Sequence, residues 1–394
     1  MSKSKMVEIR VQICMGWREE TWRLEPESRS CRLVGMRTKA VSLLQELTDA
    51  HAVSGHEDEV RAIFVDELEA SGELATDRNG SVFCETAGDG PRVMVAGHMD
   101  EVGFLVQNIT ADGFLQIVAL GGWWEHNLLS QRVEILTRSG DKILGVVCSL
   151  PPHFLPESAR RQVMSLDQMF IDVGADSRDQ VIEEFGISLG DPIAPSSVFT
   201  PLAREDYFMA KAFDNRVGMA GVIQAGQILA HSKHPNRLIL CGTVQEEVGL
   251  RGAKTAAAFA LPDVAIILEC PPADDSPGAS RSGGQGRLGG GVQIRMFDPT
   301  AIANPRLARL AIDVAEAEGI DYQVAVRRSG GTDAGSIHLA HHGVPSIVLG
   351  VPARYIHSHN AIIDINDHLQ MLALVIALVR SLDTENVSAL TAYL

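Results

Sequence analysis

Four apolar runs in this sequence each end at residues that can bind a metal ion. Such runs are typical of buried parallel strands, and open α/β sheets bind their ligands at the carboxyl ends of those strands. Residues far apart in the sequence are therefore expected to meet at one edge of a sheet. The runs and the residues that end them are VMVAGHMDE with His98, Asp100 and Glu101, LILCGTVQEE with Glu246 and Glu247, VAIILEC with Glu269, and PSIVLGVPARYIHSH with His357 and His359.

A fifth candidate, Asp214, lies between the first two runs in the segment AFDNRVG. Histidine and carboxylate side chains together suit one or two divalent ions of hard or borderline character, such as zinc, cobalt or manganese. Each signal alone is weak. Five of them in one chain, four at strand ends, predict a metal site at the edge of the sheet.

Length and composition limit the class of protein. The 394 residues are enough for two domains and a large core, and 45% hydrophobic with 21% charged residues is typical of a globular chain. The formal net charge is −16, from 34 basic and 50 acidic residues, which disfavours nucleic acid as a partner and gives no indication of a membrane. Six scattered cysteines without a CxxC pair and no export signal in residues 1–35 favour a cytoplasmic location.

The residue pattern divides the chain into three parts. Residues 1–35 show no clear periodicity, so we expect an extension there that need not be native, with the catalytic fold beginning near Met36. Short β-type runs divided by Gly, Asp and Pro turns fill 104–198 and predict a small β-rich domain. This domain is inserted into an α/β fold formed by 36–103 and 199–394. The predicted elements of the second part are helices at 214–230, 249–260, 305–319 and 366–383 and strands at 237–245, 264–270 and 344–350, with a long loop at 271–291.

His98 and Asp100 form an HxD pair at a predicted strand end. The pleat places both side chains on one face of the sheet, so Asp100 can contact the ring nitrogen of His98 that does not bind metal. Such a carboxylate fixes the tautomer and makes the imidazole a better ligand. An isolated HxD pair is more often structural, so this prediction depends on the other candidates.

Two adjacent acids, Glu246 and Glu247, follow the apolar run LILCGTV. Their charges are costly there unless a cation lies nearby. Two interpretations remain open. The pair is either a solvated strand end, or one acid binds metal while its neighbour takes a proton from a metal-activated water.

The remaining candidates also have structural alternatives. Asp214 precedes a predicted long helix, where it is either an N-cap residue or a carboxylate that bridges two metal ions. Glu269 is the only acid in its apolar run, and His357 follows a strand through a VPAR turn. His359 is close enough in sequence to compete with His357 for the same role. The other ten histidines are expected to be solvated or to lie in the core.

The sequence resembles the di-metal aminopeptidases of metallopeptidase family forty-two, the tetrahedral (TET), deblocking and glutamyl aminopeptidases. The resemblance runs from about residue 40 to 385 in the family's order. Its motifs here are VSGHEDEVR, GHMDEVGF, FIDVGA, GISLGDPI, KAFDNRVG, VQEEVGLRGA, GGTDAG and RYIHSHNA. It implies an α/β, mixed-sheet di-metal aminopeptidase domain with an inserted small β-barrel-like dimerisation domain, for which 104–198 is the candidate.

The resemblance also implies a role for each candidate residue. His98, Asp214 and Glu269 would hold one divalent ion, zinc or cobalt. Asp214, Glu247 and His357 would hold a second, with Asp214 as the bridge. Glu246 would be the general base and Asp100 would orient His98. His357, not His359, matches the family's pattern, whereas Glu269 stands where many members carry aspartate.

The resemblance implies hydrolysis of amino-terminal residues from peptides and a homo-oligomer built from dimers, up to a dodecamer. Two other functions remain open on the residues alone. One is a di-metal amidohydrolase acting on N-acyl amino acids, and the other is a catalytically silent assembly protein. A silent protein would have lost the base or a ligand, but every position is filled here. A glucanase lacks support, because glycosidases use a carboxylate pair without this metal set.

Overall fold

A computed structural model of the chain describes residues 26–278 and 284–394, with side chains from residue 35 onward. Most of the expected extension, 1–35, lies outside the described residues. The expected start of the fold near Met36 falls inside the first helix, which begins at Pro26. Proline is tolerated in the first turn of a helix, and no second proline interrupts the segment before Asp49.

Eight α-helices lie in the described part of the chain, and those predicted from the sequence are found within two residues of their expected bounds. They are α1 (Pro26–Asp49), α2 (Asp58–Leu68), α3 (Phe213–Leu229), α4 (Arg251–Ala260), α5 (Pro305–Glu318), α6 (Ala334–Ile337), α7 (Ile365–Ser381) and α8 (Thr384–Leu390). Local signals explain their ends. The Asn304 side chain accepts the first amides of α5, and Gly319 ends that helix with a positive φ, as N-cap and C-cap residues do.

The strands form two sheets and a barrel. They are β1 (Glu73–Thr76), β2 (Val82–Glu85), β3 (Arg92–His98), β4 (Gly103–Ile109), β5 (Leu115–Leu120), β6 (Arg132–Leu136), β7 (Lys142–Cys148), β8 (Phe170–Asp172), β9 (Pro192–Pro195), β10 (Thr200–Pro201), β11 (Tyr207–Ala210), β12 (Arg237–Thr243), β13 (Val264–Glu269), β14 (Val292–Asp298), β15 (Ala301–Ile302), β16 (Tyr322–Val326), β17 (Ser346–Gly350) and β18 (Ala361–Asp364).

The larger sheet is mixed and has nine strands in the order β1-β2-β12-β3-β13-β17-β14-β15, with β16 paired to β14. Its centre, β12, β3, β13 and β17, is parallel. These four strands are the apolar runs noted in the sequence, and both of their faces are covered. One face packs on α3, α5 and α7, with α1 packed outside α3 and α7, and the other face packs on α4 and α6, which is why the runs are continuously apolar rather than alternating.

The block between β3 and β10 forms a closed six-stranded antiparallel barrel in the order β4-β5-β8-β7-β6-β9. Its strands run from Gly103 to Pro195, close to the expected 104–198, and enclose their own apolar core. The predicted fold class, an α/β mixed sheet with an inserted small β-barrel, is confirmed. The role of the barrel in dimerisation stays a prediction.

Three further features complete the fold. Strands β10, β11 and β18 form a small antiparallel sheet. The described parts of the loop at 271–291 are held by ion pairs, in which Arg354 contacts Asp275 at 2.7 Å and Arg327 contacts Asp274 at 2.8 Å.

No single described helix is long and apolar enough to cross a membrane. The pair α7 and α8 passes that test only jointly, by length and composition, and a bend of 100° separates the two helices.

Candidate metal centre

The register of the parallel strands brings the candidate residues to one edge of the sheet. His98 lies opposite Thr243 at the ends of β3 and β12, and Glu269 lies opposite Gly350 at the ends of β13 and β17. The loops that leave these strand ends carry the other candidates. Potential ligand atoms lie within 4.8 Å of one another in three groups: His98 with Asp214 and Glu269, Asp214 with Glu247 and His357, and His98 with Glu246 and Glu247.

Asp214 lies at the centre of the cluster and faces both histidines. Its Oδ1 is 3.3 Å from Nε2 of His98, and its Oδ2 is 3.4 Å from Nε2 of His357. Asp214 is the second residue of α3, but its backbone is not helical, and its peptide bond to Asn215 is cis. The N-cap position belongs to Ala212, so Asp214 is not the N-cap. A carboxylate with one oxygen towards each histidine has the arrangement that a bridging ligand requires.

Glu247 and Glu269 complete the two groups around Asp214. Oε1 of Glu247 is 3.4 Å from Nε2 of His357. Oε2 of Glu269 is 3.8 Å from Nε2 of His98, while its Oε1 is buried without a hydrogen-bond partner. A buried carboxylate oxygen without a partner is rare in native structures, so this atom is a candidate for binding a cation.

Asp100 connects the two strand ends. Its Oδ1 accepts the backbone amide of Glu246 at 2.9 Å and its Oδ2 that of Glu247 at 3.1 Å. Nδ1 of His98 lies 3.4 Å from Oδ1 and 3.1 Å from the backbone carbonyl oxygen of Asp100. Asp100 thus holds both the histidine, as its spacing predicts, and the backbone of the two glutamates, which the sequence did not indicate.

The pKa values reflect an excess of buried negative charge. Burial raises the pKa of Glu247 to about 7 and that of Glu269 to about 8, and burial together with its acidic neighbours raises that of Glu246. Burial opposes protonation of His357, but Asp214, Glu247 and the Gly122 carbonyl together outweigh it and raise the pKa of His357 to about 9. Carboxylates gathered this closely repel one another unless positive charge lies among them.

The donor set therefore fits divalent ions. Two imidazole nitrogens and four carboxylates converge here. One of the four, Asp214, faces both histidines, and another, Glu269, has an oxygen without a hydrogen-bond partner. Nitrogen and oxygen donors in this ratio suit zinc or cobalt. Such a centre can polarise a carbonyl group and activate water.

His359 does not join the cluster. It is buried, its ring centroid lies 5.8 Å from that of Trp123, and it belongs to none of the three ligand groups. Asp333 of the motif GGTDAG is also buried, with Oδ2 bonded to the Thr243 hydroxyl and Oδ1 unpartnered. Burial raises the pKa of Asp333 to about 6.

Sequence reasoning missed three residues that support the centre. Ser54 donates to Oδ2 of Asp100 at 2.5 Å, and Glu57 accepts the backbone amide of Gln245 at 3.1 Å. Nδ1 of His357 lies 2.8 Å from the carbonyl oxygen of Gly122, which follows the barrel strand β5. Ser54 and Glu57 lie in the motif VSGHEDEVR, so the motif signalled them, but no signal pointed to a barrel carbonyl.

Comparisons with known proteins show what this chain is similar to. A model of the M42 glutamyl aminopeptidases matches residues 80–374. The glutamyl aminopeptidase of Lactococcus lactis subsp. cremoris is 39% identical over 355 residues, which cover 89% of this chain and 98% of that protein. The TET aminopeptidase of a marine-sediment Thaumarchaeota archaeon is 40% identical with a TM-score of 0.87, over 90% of this chain and all of that chain.

A further solved structure, the TET1 peptidase of Pyrococcus horikoshii, is 29% identical with a TM-score of 0.78 and covers 87% of this chain and all of that chain. These likenesses extend through both the catalytic sheet and the barrel. The predicted activity, hydrolysis of peptides by an aminopeptidase, is confirmed. The family match spans most of the chain and the relatives are similar over nearly their whole length, so the chain belongs to the M42 glutamyl aminopeptidase family.

Proposed function

We propose that this aminopeptidase uses two divalent ions, zinc or cobalt, held by the residues around Asp214. His98, Asp214 and Glu269 would hold one ion, and Asp214, Glu247 and His357 the other. The observation that carries this proposal is the carboxylate of Asp214, whose two oxygens face two different histidines. When bound, the ions supply Lewis acidity that polarises the scissile carbonyl and lowers the pKa of water.

The protein side chains divide the remaining work. Glu246 belongs to neither group around Asp214, and its Oε2 lies 3.9 Å from Nε2 of His98. Glu246 therefore takes the proton of the attacking water and passes it to the leaving amine as general base and acid. Asp100 orients His98 and the backbone of Glu246. Acidic groups of the centre also pair with the ammonium group of a free amino terminus.

The experiment offers three substrates: a free peptide, its amino-terminally acetylated form and an N-acyl amino acid. Mass spectrometry should show a ladder of single-residue losses from the free peptide only. Removal of metal with a strong chelator should abolish this ladder, and zinc or cobalt should restore it. Full activity without metal would overturn the two-ion proposal, and preferential turnover of the N-acyl amino acid would favour an amidohydrolase.

We further propose that the amino-terminal side chain removed by the enzyme is acidic. Gln293 and Arg295 are two residues apart on β14, and Gln293 lies opposite Gly350, as Glu269 does. Side chains two apart share a face, so Arg295 lies on the face of Glu269. Arg295 is buried, its Nε has no partner, and its contact with Asp298 is 3.4 Å. The Lactococcus relative, a glutamyl aminopeptidase, supports the same preference.

The test compares glutamyl and leucyl chromogenic substrates on Arg295→Met. Loss of a desolvated charge pair costs on the order of 2–5 kcal/mol, so kcat/KM for the glutamyl substrate should fall about 100-fold while that for the leucyl substrate changes little. Arg295→Lys is the matched control because it keeps the charge. Equal losses on both substrates would contradict the assignment.

The acidic chain is also proposed to act in the cytoplasm as a homo-oligomer, built from dimers and extending up to a dodecamer. The TET1 peptidase of Pyrococcus horikoshii is described as assembling into a tetrahedron or a large octahedral shell. This chain is similar to it through both the catalytic sheet and the barrel. Particle size in solution tests the proposal.

A further inference from the structure

The backbone amides of Gln245, Glu246 and Glu247 are consecutive, and each donates a hydrogen bond to a buried carboxylate. The amide of Gln245 donates to Oε1 of Glu57 at 3.1 Å. The amides of Glu246 and Glu247 donate to the two oxygens of Asp100, at 2.9 and 3.1 Å. The carboxylates come from different parts of the chain, so the amides of this stretch are held from outside it, whereas the carbonyl oxygens of Gln245 and Glu246 accept local backbone amides from residues 249–251.

Gln245 has a backbone conformation that its residue type disfavours. Its φ is +55°, in the left-handed region where a side chain crowds the backbone and where glycine is the usual residue. Strained conformations of this kind persist when surrounding contacts hold them, and they concentrate at active sites. The left-handed turn comes immediately before Glu246, so it sets the direction in which the Glu246 side chain leaves the chain.

Glu57 is a buried residue whose carboxylate accepts backbone amides. The whole residue is 2% exposed, and Oε1 also accepts the amide of Gly55 at 2.7 Å. Although Glu57 precedes α2, its side chain does not cap that helix. The nearest cation, Arg61, is 4.0 Å away, which is beyond hydrogen-bond distance. Neither helix capping nor a close ion pair accounts for a buried glutamate here.

We propose that Glu57 is a positioning residue for peptide hydrolysis, which holds the amide of Gln245 in the left-handed conformation and thereby aims Glu246 at the reacting water. This inference rests on the proposed role of Glu246 as the base. Glu57 itself belongs to neither of the two ligand groups around Asp214. Its loss should therefore lower kcat without changing metal content or KM.

The experiment distinguishes this role from a purely structural one by testing whether a second substitution restores kcat. Glu57→Ala should lower kcat about 10- to 100-fold, the loss expected when a reacting group is misplaced by about 1 Å, with KM and bound metal unchanged. Glu57→Gln keeps an acceptor oxygen and should retain most of kcat. Glycine adopts the left-handed conformation without strain, so Gln245→Gly added to Glu57→Ala should restore most of the lost kcat.

Glu59→Ala is the matched control. Glu59 also accepts a backbone amide, that of His51 at 2.8 Å, but it does not contact residues 245–247. Gln245→Gly added to Glu59→Ala should not raise kcat. If Glu57→Ala does not fold, Glu57→Asp, whose carboxylate is one methylene shorter, takes its place. Folded, metal-loaded Glu57→Ala with wild-type kcat, or a low kcat that Gln245→Gly leaves unchanged, would overturn the inference.

Failure of the proposed function would look different. It would appear as activity of the wild-type enzyme that survives metal removal, or as a Glu246→Gln protein that remains active. Neither result depends on Glu57 or on the conformation of Gln245. The two hypotheses can therefore fail separately.

Discussion

At the residue scale, single side chains of this centre serve two segments at once. Asp100 contacts His98 at the end of β3 and holds the amides that follow β12. A residue with two such tasks cannot be replaced by a side chain that performs only one. The substitution Asp100→Asn would keep one acceptor oxygen but would place an amide donor against a backbone N–H that also donates.

The adjacent glutamates should separate base catalysis from metal binding. Glu246→Gln should retain bound metal but lose about 10²–10⁴ in kcat, the usual contribution of a general base. Glu247→Gln removes the carboxylate next to His357 and should instead weaken metal binding. Metal analysis of both proteins and kcat at saturating metal measure the two effects. A fully active Glu246→Gln protein would show that the roles are misassigned.

A buried charge network next to the centre gives a prediction about stability. Oε1 of Glu101 accepts from Lys211 at 2.6 Å and from Arg216 at 2.9 Å, and all three residues are buried. The two cations flank Asp214 in sequence. Glu101→Ala would leave both cations without their carboxylate, which costs about 3–5 kcal/mol of unfolding free energy.

Urea unfolding in excess chelator measures this loss without a contribution from metal binding. Glu85→Ala is the control, because Glu85 pairs with two arginines near the surface, Arg92 at 3.2 Å and Arg237, and each pair of this kind contributes about 1 kcal/mol or less. The prediction fails if both variants lose the same amount.

At the element scale, the sequence predicted the strands that show as apolar runs and the site residues that end them. The runs at β3, β12, β13 and β17 are apolar because both faces of the sheet are covered, so they could be recognised. The left-handed Gln245 and the Gly122 carbonyl could not, because long-range contacts impose them. Pairing of β13 with β3 decides that Glu269 reaches His98, and a single sequence does not encode that register visibly.

Packing of α7 against α3 predicts an acid sensitivity. His368 on α7 is buried, and its Nε2 lies 2.7 Å from Oε1 of Gln224 on α3. Burial lowers its pKa from 6.5 to about 4. Below about pH 6.5, His368 therefore binds a proton in the unfolded chain. In the folded protein it stays neutral until the pH approaches 4. The resulting stability is complete above pH 6.5 and is lost as the pH falls towards 4.

His368→Gln removes this titration while leaving an amide that can bond to Gln224. The free energy of unfolding of the wild type should fall relative to that of the variant, by about 3 kcal/mol between about pH 7 and 4. Buried His51 and His359 have pKa values lowered in the same direction, and their effects cancel in the comparison. A pH-independent difference would contradict the prediction.

At the scale of the whole molecule, the barrel has two relations to the catalytic sheet. It contributes the Gly122 carbonyl to His357, so a deletion of the barrel would disturb the centre as well as any assembly. It also exposes apolar side chains, among them Leu144 and Val146 on one face of β7 and Phe154 beyond its end. Exposed apolar patches of this kind are typical of protein–protein contacts.

We therefore predict that point changes on the barrel surface reduce particle size while leaving each subunit folded. The double variant Leu144→Asp/Val146→Asp places two charges on a face that would be buried between copies, where unpaired charge strongly opposes association. Light scattering should show smaller particles, with the circular dichroism and bound metal of the wild type. Val326→Asp, an equally apolar and exposed position on β16 at the far side of the catalytic sheet, is the control. Smaller particles from Val326→Asp alone would assign the contact to the catalytic sheet, and the barrel would then not be the assembly domain.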